Sequence, residues 1–182
     1  MKHLMKMTIP AVAIILLSAC GGNEPKVENH EGHDHASTEQ KTPELTAKLI
    51  IKDDNLNAVY SHYSQLTIAL TNDNAGEAKI VAAEIEAAAK KIDEGAPIIA
   101  SASSIAATSD IEAQRTAYSK MSDDLIAFVK KAGIESGELY LTHCPMAFDN
   151  KGASWISSGK EIRNPFFGEK MLKCGEIKET IN

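Results

Sequence analysis

The residues of this chain with the clearest chemistry lie together near its end. Of three cysteines and six methionines in 182 residues, two of each fall between Tyr140 and Ile177, as Cys144-Pro145-Met146 and Met171-Leu172-Lys173-Cys174-Gly175. Thiolate and thioether sulfurs are soft, polarizable donors that select Cu(I), and thiolates also take Zn(II) or Cd(II). Pro145 fixes the turn between Cys144 and Met146. Met171 and Cys174 stand three apart, so one helical turn brings both sulfurs to one side. These four make a candidate metal site, with His143 as an optional nitrogen ligand. The same two cysteines also suit a Cys144–Cys174 disulfide, with both methionines as ordinary core fillers. Spacing alone leaves metal and disulfide open.

The first residues of the chain say which compartment those sulfurs meet. Lys2 and Lys6 make a short basic region, and the apolar run Ile9 to Leu17 is too short to span a bilayer. It ends in Leu17-Ser18-Ala19-Cys20, the pattern of a bacterial lipobox. Residues 1–19 therefore read as a lipoprotein signal peptide, and Cys20 as the lipidated N-terminus, unavailable to metal or disulfide. Several acyl chains on one residue give stable anchoring. The expected location is the cell envelope, on the periplasmic side of the outer membrane, where disulfides form and persist.

Loss of Lys2 and Lys6 moves the formal charge from −6 to −8. An acidic surface argues against nucleic acid as a partner and mildly favours cations. Residues 20–41 are polar and nearly free of large apolar side chains, which reads as a disordered tether. Within it, His30, His33 and His35 sit beside Glu31 and Asp34. They form a candidate secondary site for a borderline metal ion, or a solvated spacer that happens to be His-rich.

The elements that must position the sulfurs are helical. Thr42-Pro43 reads as an N-cap followed by proline at the first helical position. Leu45, Leu49, Leu56, Val59, Tyr63, Leu66 and Leu70 mark one face of a long helix. Asn74 with Glu77 opens a second helix, whose inward residues run from Ala78 through Ile92 before Gly95-Ala96-Pro97 stops it. Ile98, Ile99, Ala102 and Ile105 belong to a shorter third. Ser109 with Glu112 opens the fourth, through Ile111, Arg115, Tyr118, Met121, Leu125, Phe128 and Val129 to a stop near Gly133.

Residues 42–182 thus read as one mainly α domain, an antiparallel up-and-down four-helix bundle with no sheet before residue 138. Its C-terminal segment, 138–182, is irregular with short strands, at Glu138–His143 and at 175–181. Trp155, Phe166 and Phe167 pack that segment onto the bundle and shield the sulfur site from water. No Glu-x-x-His marks a di-iron centre. Met121 reads as packing, and His62, beside an apolar face, as a structural hydrogen-bonder. No catalytic triad, phosphate loop or open metal set stands out, so no enzymatic activity is expected.

The chain resembles a domain family of unknown function found in periplasmic lipoproteins and attached to adaptor subunits of heavy-metal efflux pumps. The resemblance rests on Tyr140, Cys144-Pro145-Met146-Ala147, Gly152-Ala153 and Trp155-Ile156-Ser157. It continues through Glu161-Ile162-Arg163-Asn164-Pro165, Phe167-Gly168 and Met171-Leu172-Lys173-Cys174-Gly175. The helical part matches more loosely. A fainter similarity is to small heavy-metal-binding modules that begin Tyr-x-Cys-Pro-Met-His and end Cys-Gly-Met. Here Ala147 replaces the histidine, and the final methionine precedes Cys174. The resemblance implies binding of copper or a related soft or borderline ion, and an efflux adaptor as partner. The expected function is therefore a membrane-anchored Cu(I)-binding protein of the envelope that buffers the ion or delivers it to efflux. The alternative is a disulfide-stapled interaction module without metal.

Overall fold

The computed structural model describes residues 48–182. The lipobox with Cys20, the tether with His30, His33 and His35, and the proposed Thr42-Pro43 cap lie outside the described residues. Four long helices follow in order: α1 (Asp54–Thr71), α2 (Ala75–Ala89), α3 (Ala96–Ala106) and α4 (Ile111–Ala132). Short turns join them, consecutive helices pack side by side, and α4 returns against α1. Strand β1 (Ile50–Ile51) precedes the helices, and β2 (Ile134–Ser136), β3 (Leu139–Cys144), β4 (Ala153–Ser157) and β5 (Glu176–Ile181) follow. Among the described residues no helix is long and apolar enough to cross a membrane.

Local chemistry explains most helix ends. The Asn74 side chain accepts from Glu77 N–H at 3.0 Å, satisfying a donor that has no partner within the helix. Pro97 sits in the first turn of α3, where its missing N–H costs nothing. Gly133 ends α4 at φ +84°, a conformation that glycine adopts without penalty.

Four expectations are corrected. The first helix begins at Asp54, capped by Asp53, whose side chain accepts from Leu56 N–H at 2.9 Å; Leu49 lies before it. Ile50 and Ile51 instead pair antiparallel with Ser136 and Ile134, so there is a sheet before residue 138. Apolar spacing does not distinguish a helix turn from a two-residue strand, and β-branched residues take the strand when a partner is at hand. The cap of α4 is Asp110, not Ser109: its carboxylate accepts from Glu112 and Ala113 N–H. Ile92 lies in the turn after α2, packed against the core from outside the helix.

The core runs along the inward stripes. Val59, Tyr63, Leu66, Leu70, Ala82, Ile85, Ile98, Ile105, Tyr118, Met121, Leu125 and Val129 are all fully buried. Met121 is packing, as its spacing implies. His62 pairs with Glu84 of α2 at 3.1 Å, a structural role. At the centre the Tyr63 and Tyr118 rings stack at 5.2 Å. Tyr118 O–H donates to the Tyr63 oxygen at 2.8 Å. The Tyr63 hydroxyl also meets Ser122 Oγ at 2.8 Å, and the Tyr118 hydroxyl meets Thr67 Oγ1 at 2.7 Å. Burial pushes both phenols well above their ordinary range.

Strands β4, β3 and β5 form a three-stranded antiparallel sheet with β3 in the middle. Ile156 N–H reaches the Tyr63 hydroxyl at 3.5 Å, tying β4 to the bundle. The sheet carries the sulfur-bearing segments.

Candidate functional site

Cys144 is the last residue of β3, paired across from Ala153 of β4. Successive residues of a strand face opposite sides. Thr142 and Cys144 are buried toward the bundle, and His143 lies on the other face, partly exposed. The His143 ring sits over Gly152, with Nδ1 3.0 Å from Ser154 Oγ. The strand thus holds the imidazole apart from the thiol next to it.

After Pro145 the chain makes a tight reversal. Phe148, Asp149 and Asn150 all have left-handed φ, at 51°, 56° and 65°. Three consecutive non-glycine residues in this region cost about 1–2 kcal/mol each. The Phe148 ring offsets part of that cost by packing edge-on against Phe166 at 5.5 Å. Gly152 N–H then closes the turn on Ala147 C=O at 2.9 Å. A Cβ on Gly152 would stand 2.7 Å from His143 Cε1, at φ +80°; only glycine fits.

The other half of the site hangs on two buried polar residues. Arg115, 1 % exposed, donates through Nε to Pro165 C=O at 2.8 Å and through Nη2 to Leu70 C=O at 3.0 Å. It also pairs with Asp73 at 2.5 Å and Glu112 at 2.8 Å. Asn164 is fully buried. Its Oδ1 accepts from Phe166 N–H at 2.7 Å, and its Nδ2 donates to Cys174 C=O at 2.7 Å. Its backbone N–H donates to Leu172 C=O at 2.8 Å. A 3-10 turn at Gly168–Met171 follows, and Cys174 N–H donates to Met171 C=O at 3.0 Å. Methionine and cysteine do share one turn. Gly175 then crosses the Trp155 ring so closely that a Cβ would lie 2.9 Å from Cη2.

These supports bring Cys174 Sγ to 2.6 Å from Cys144 Sγ. Both cysteines are free; Cys144 is buried and Cys174 partly exposed. Burial is the first cause that pushes the Cys174 thiol up to about 11, followed by the hydrogen bond and charge of Cys144. The Met146 backbone N–H, which faces the Cys174 sulfur, opposes this in part. At neutral pH Cys174 is a thiol, so binding a metal ion would release its proton.

Met146 and Met171 line one cleft of about 640 Å³ beside the cysteines, shared with Arg115, Phe148, Phe166 and Phe167. Met146 is 47 % exposed at its wall. Neither cysteine lines that cleft. The fold therefore joins thiol to thiol, and gathers the thioether residues next door. Among the described residues no three His, Cys, Asp or Glu side chains form a metal-holding group. Trp155 and Phe166 are buried and pack edge to face at 5.8 Å, while Phe167 is partly exposed.

Sequence reasoning placed Asn164 only within a shared motif, and Arg115 only among the inward residues of α4. A charged residue at an apolar core spacing was the available signal for Arg115. Nothing in the spacing of Asn164 pointed to Cys174.

No curated protein and no solved structure matches the chain. One family model does: it is described as a protein of unknown function (DUF3347), and it matches residues 59–137, from α1 through β2, and stops short of the sulfur-bearing segment.

Proposed function

We propose that this protein binds a soft metal ion, Cu(I) in the first place, at the cell envelope, and buffers it or passes it to a heavy-metal efflux adaptor. Cys144 and Cys174 supply thiolates, and Met146 and Met171 thioethers. Lipidation at Cys20 holds the protein to the membrane, and the tether histidines His30, His33 and His35 give a weaker ancillary site. The observation that carries this reading is the meeting of two thiols, thirty residues apart in sequence, beside a cleft walled by both methionines. Soft donors in a partly enclosed, aromatic-lined setting favour Cu(I) over harder ions.

A second reading is favoured by the close approach of the sulfurs and the burial of Cys144: a Cys144–Cys174 staple in an envelope interaction module that binds no metal. In a tetrahedral site with metal–sulfur bonds of about 2.3 Å, two sulfurs stand about 3.8 Å apart. A metal ion would therefore spread the pair from its present 2.6 Å. Anaerobic titration of the reduced protein with Cu(I) against a competing chelator separates the readings. His30, His33 and His35 are replaced by alanine so that only the sulfur site is read. Tight one-to-one binding lost in Cys144→Ser/Cys174→Ser supports the metal reading. Failure to compete, together with a large gain in heat stability on oxidation, selects the staple.

A further inference from the structure

The sulfur pair depends on a group that neither reading uses as a ligand. We propose that Asn164 is the positioning residue of the pair: its buried carboxamide sets how closely Cys174 approaches Cys144, and hence how readily the pair closes or binds an ion. The proposal rests on Cys144 and Cys174 being the functional centre, whichever of the two readings holds.

The argument runs through a single side chain. Cys144 is held by sheet pairing and needs no further support. Cys174 lies outside regular structure, between the 3-10 turn and β5. Asn164 meets it from within: Nδ2 donates to the Cys174 carbonyl at 2.7 Å, while Oδ1 accepts from Phe166 and Phe167 N–H at 2.7 and 3.3 Å. The backbone of Asn164 bonds Leu172 C=O and Gly168 N–H. One fully buried residue therefore ties both ends of the 165–174 loop. Without the Nδ2 bond, ordering of residues 172–175 must be achieved whenever the two sulfurs come together, and that lowers their effective concentration.

Serine at 164 keeps an acceptor for Phe166 N–H, two residues on, but is too short to reach Cys174 C=O. The test uses the full chain in detergent with Cys20→Ala, so that only the two cysteines of the pair react. Each protein is equilibrated with glutathione. Two protein thiols and one glutathione disulfide give the protein disulfide and two glutathione thiols, with electrons and protons balanced. Asn164→Ser is expected to lower this closure constant at least tenfold, and to lower the Tm of the oxidised form more than that of the reduced form. Equal Tm losses in both forms, with an unchanged closure constant, would overturn the proposal and leave Asn164 a scaffold residue.

Should Asn164→Ser not fold, the Asn164 carboxamide resonances of the wild type decide. A shift on closure of the pair supports the proposal, and indifference to closure defeats it. A Cu(I) titration of the same proteins separates the two levels. If the reduced wild type does not compete for Cu(I) yet closure still falls in Asn164→Ser, the metal reading fails and the positioning role stands.

Discussion

Replacing Arg115 with methionine tests the claim that a buried guanidinium locks the sulfur-bearing loop to the bundle. Arg115 is 1 % exposed, whereas Asp73 is 40 % and Glu112 is 64 % exposed. Water can rehydrate both carboxylates once the cation is gone, so each ion pair accounts for only about 0–1 kcal/mol. The carbonyls matter more. Pro165 C=O loses a charge-assisted bond in a buried place, at a cost of about 1–3 kcal/mol. Leu70 C=O suffers less, because Asp73 N–H still donates to it at 3.3 Å. Methionine refills much of the volume and removes the cost of burying a charge. The balance is a loss of about 3 kcal/mol, or about 10 °C in Tm for a domain of this size.

Urea unfolding of the reduced protein, followed by fluorescence of Trp155, measures this directly. Trp155 packs on Phe166, the residue after the carbonyl in question, so it also reports local loosening. Arg115→Lys should recover little, since one ammonium group cannot point at Pro165, Leu70 and Asp73 at once. A loss below about 1 kcal/mol in Arg115→Met, or a lysine variant as stable as wild type, would refute the reasoning.

Gly168→Ala should destabilise by about 2 kcal/mol or more, because the new Cβ would sit 2.5 Å from Asp73 Oδ1 and 2.6 Å from Arg115 Nη2, at φ +57°; thermal denaturation checks it. Alkaline pH should unfold the reduced protein. The Cys174 thiol is raised from its ordinary 9.0 to about 11 when folded, so the unfolded chain releases its proton first and stability falls as pH climbs through that window. Buried Tyr63 and Tyr118 act in the same direction above their ordinary 10.0. A Tm that stays level from pH 8 to 11 would contradict both assignments. In Cu(I) competition, Cys144→Ser should abolish tight binding, whereas Met146→Leu should weaken it only about tenfold, since a half-exposed thioether is the less costly ligand to lose. Equal effects of the two substitutions would remove the distinction between them.

Helix content and most of the core were legible because each rests on a local period. Leu66, Leu70, Val81, Ile85, Leu125 and Val129 recur at helical spacings and are buried on one stripe each. Asn74 opens α2 and Gly133 ends α4 through bonds to residues within about one turn. The short strand at Ile50–Ile51 was not legible, because its partner at Ile134–Ser136 lies at the far end of the bundle sequence. Strand β4 was hidden for a similar reason: its residues, Ala153-Ser-Trp-Ile-Ser157, become a strand only when β3 is beside them.

The sequence by itself determined that two thiols and two thioethers sit in one short segment, and that the long elements before it are helices. Both follow from residue type and near-neighbour spacing. Only the tertiary structure decided which sulfurs meet. Pleating turned His143 away from Cys144, and Met146, just ahead of the left-handed turn at Phe148 to Asn150, stands half-exposed at the cleft wall. Arg115 and Asn164 returned Cys174 to the end of β3 through bonds to main-chain atoms that no spacing rule specifies. Backbone carbonyls are the same in every residue, so the partner of a buried guanidinium or carboxamide is chosen by the folded path of the chain and leaves no mark in the sequence.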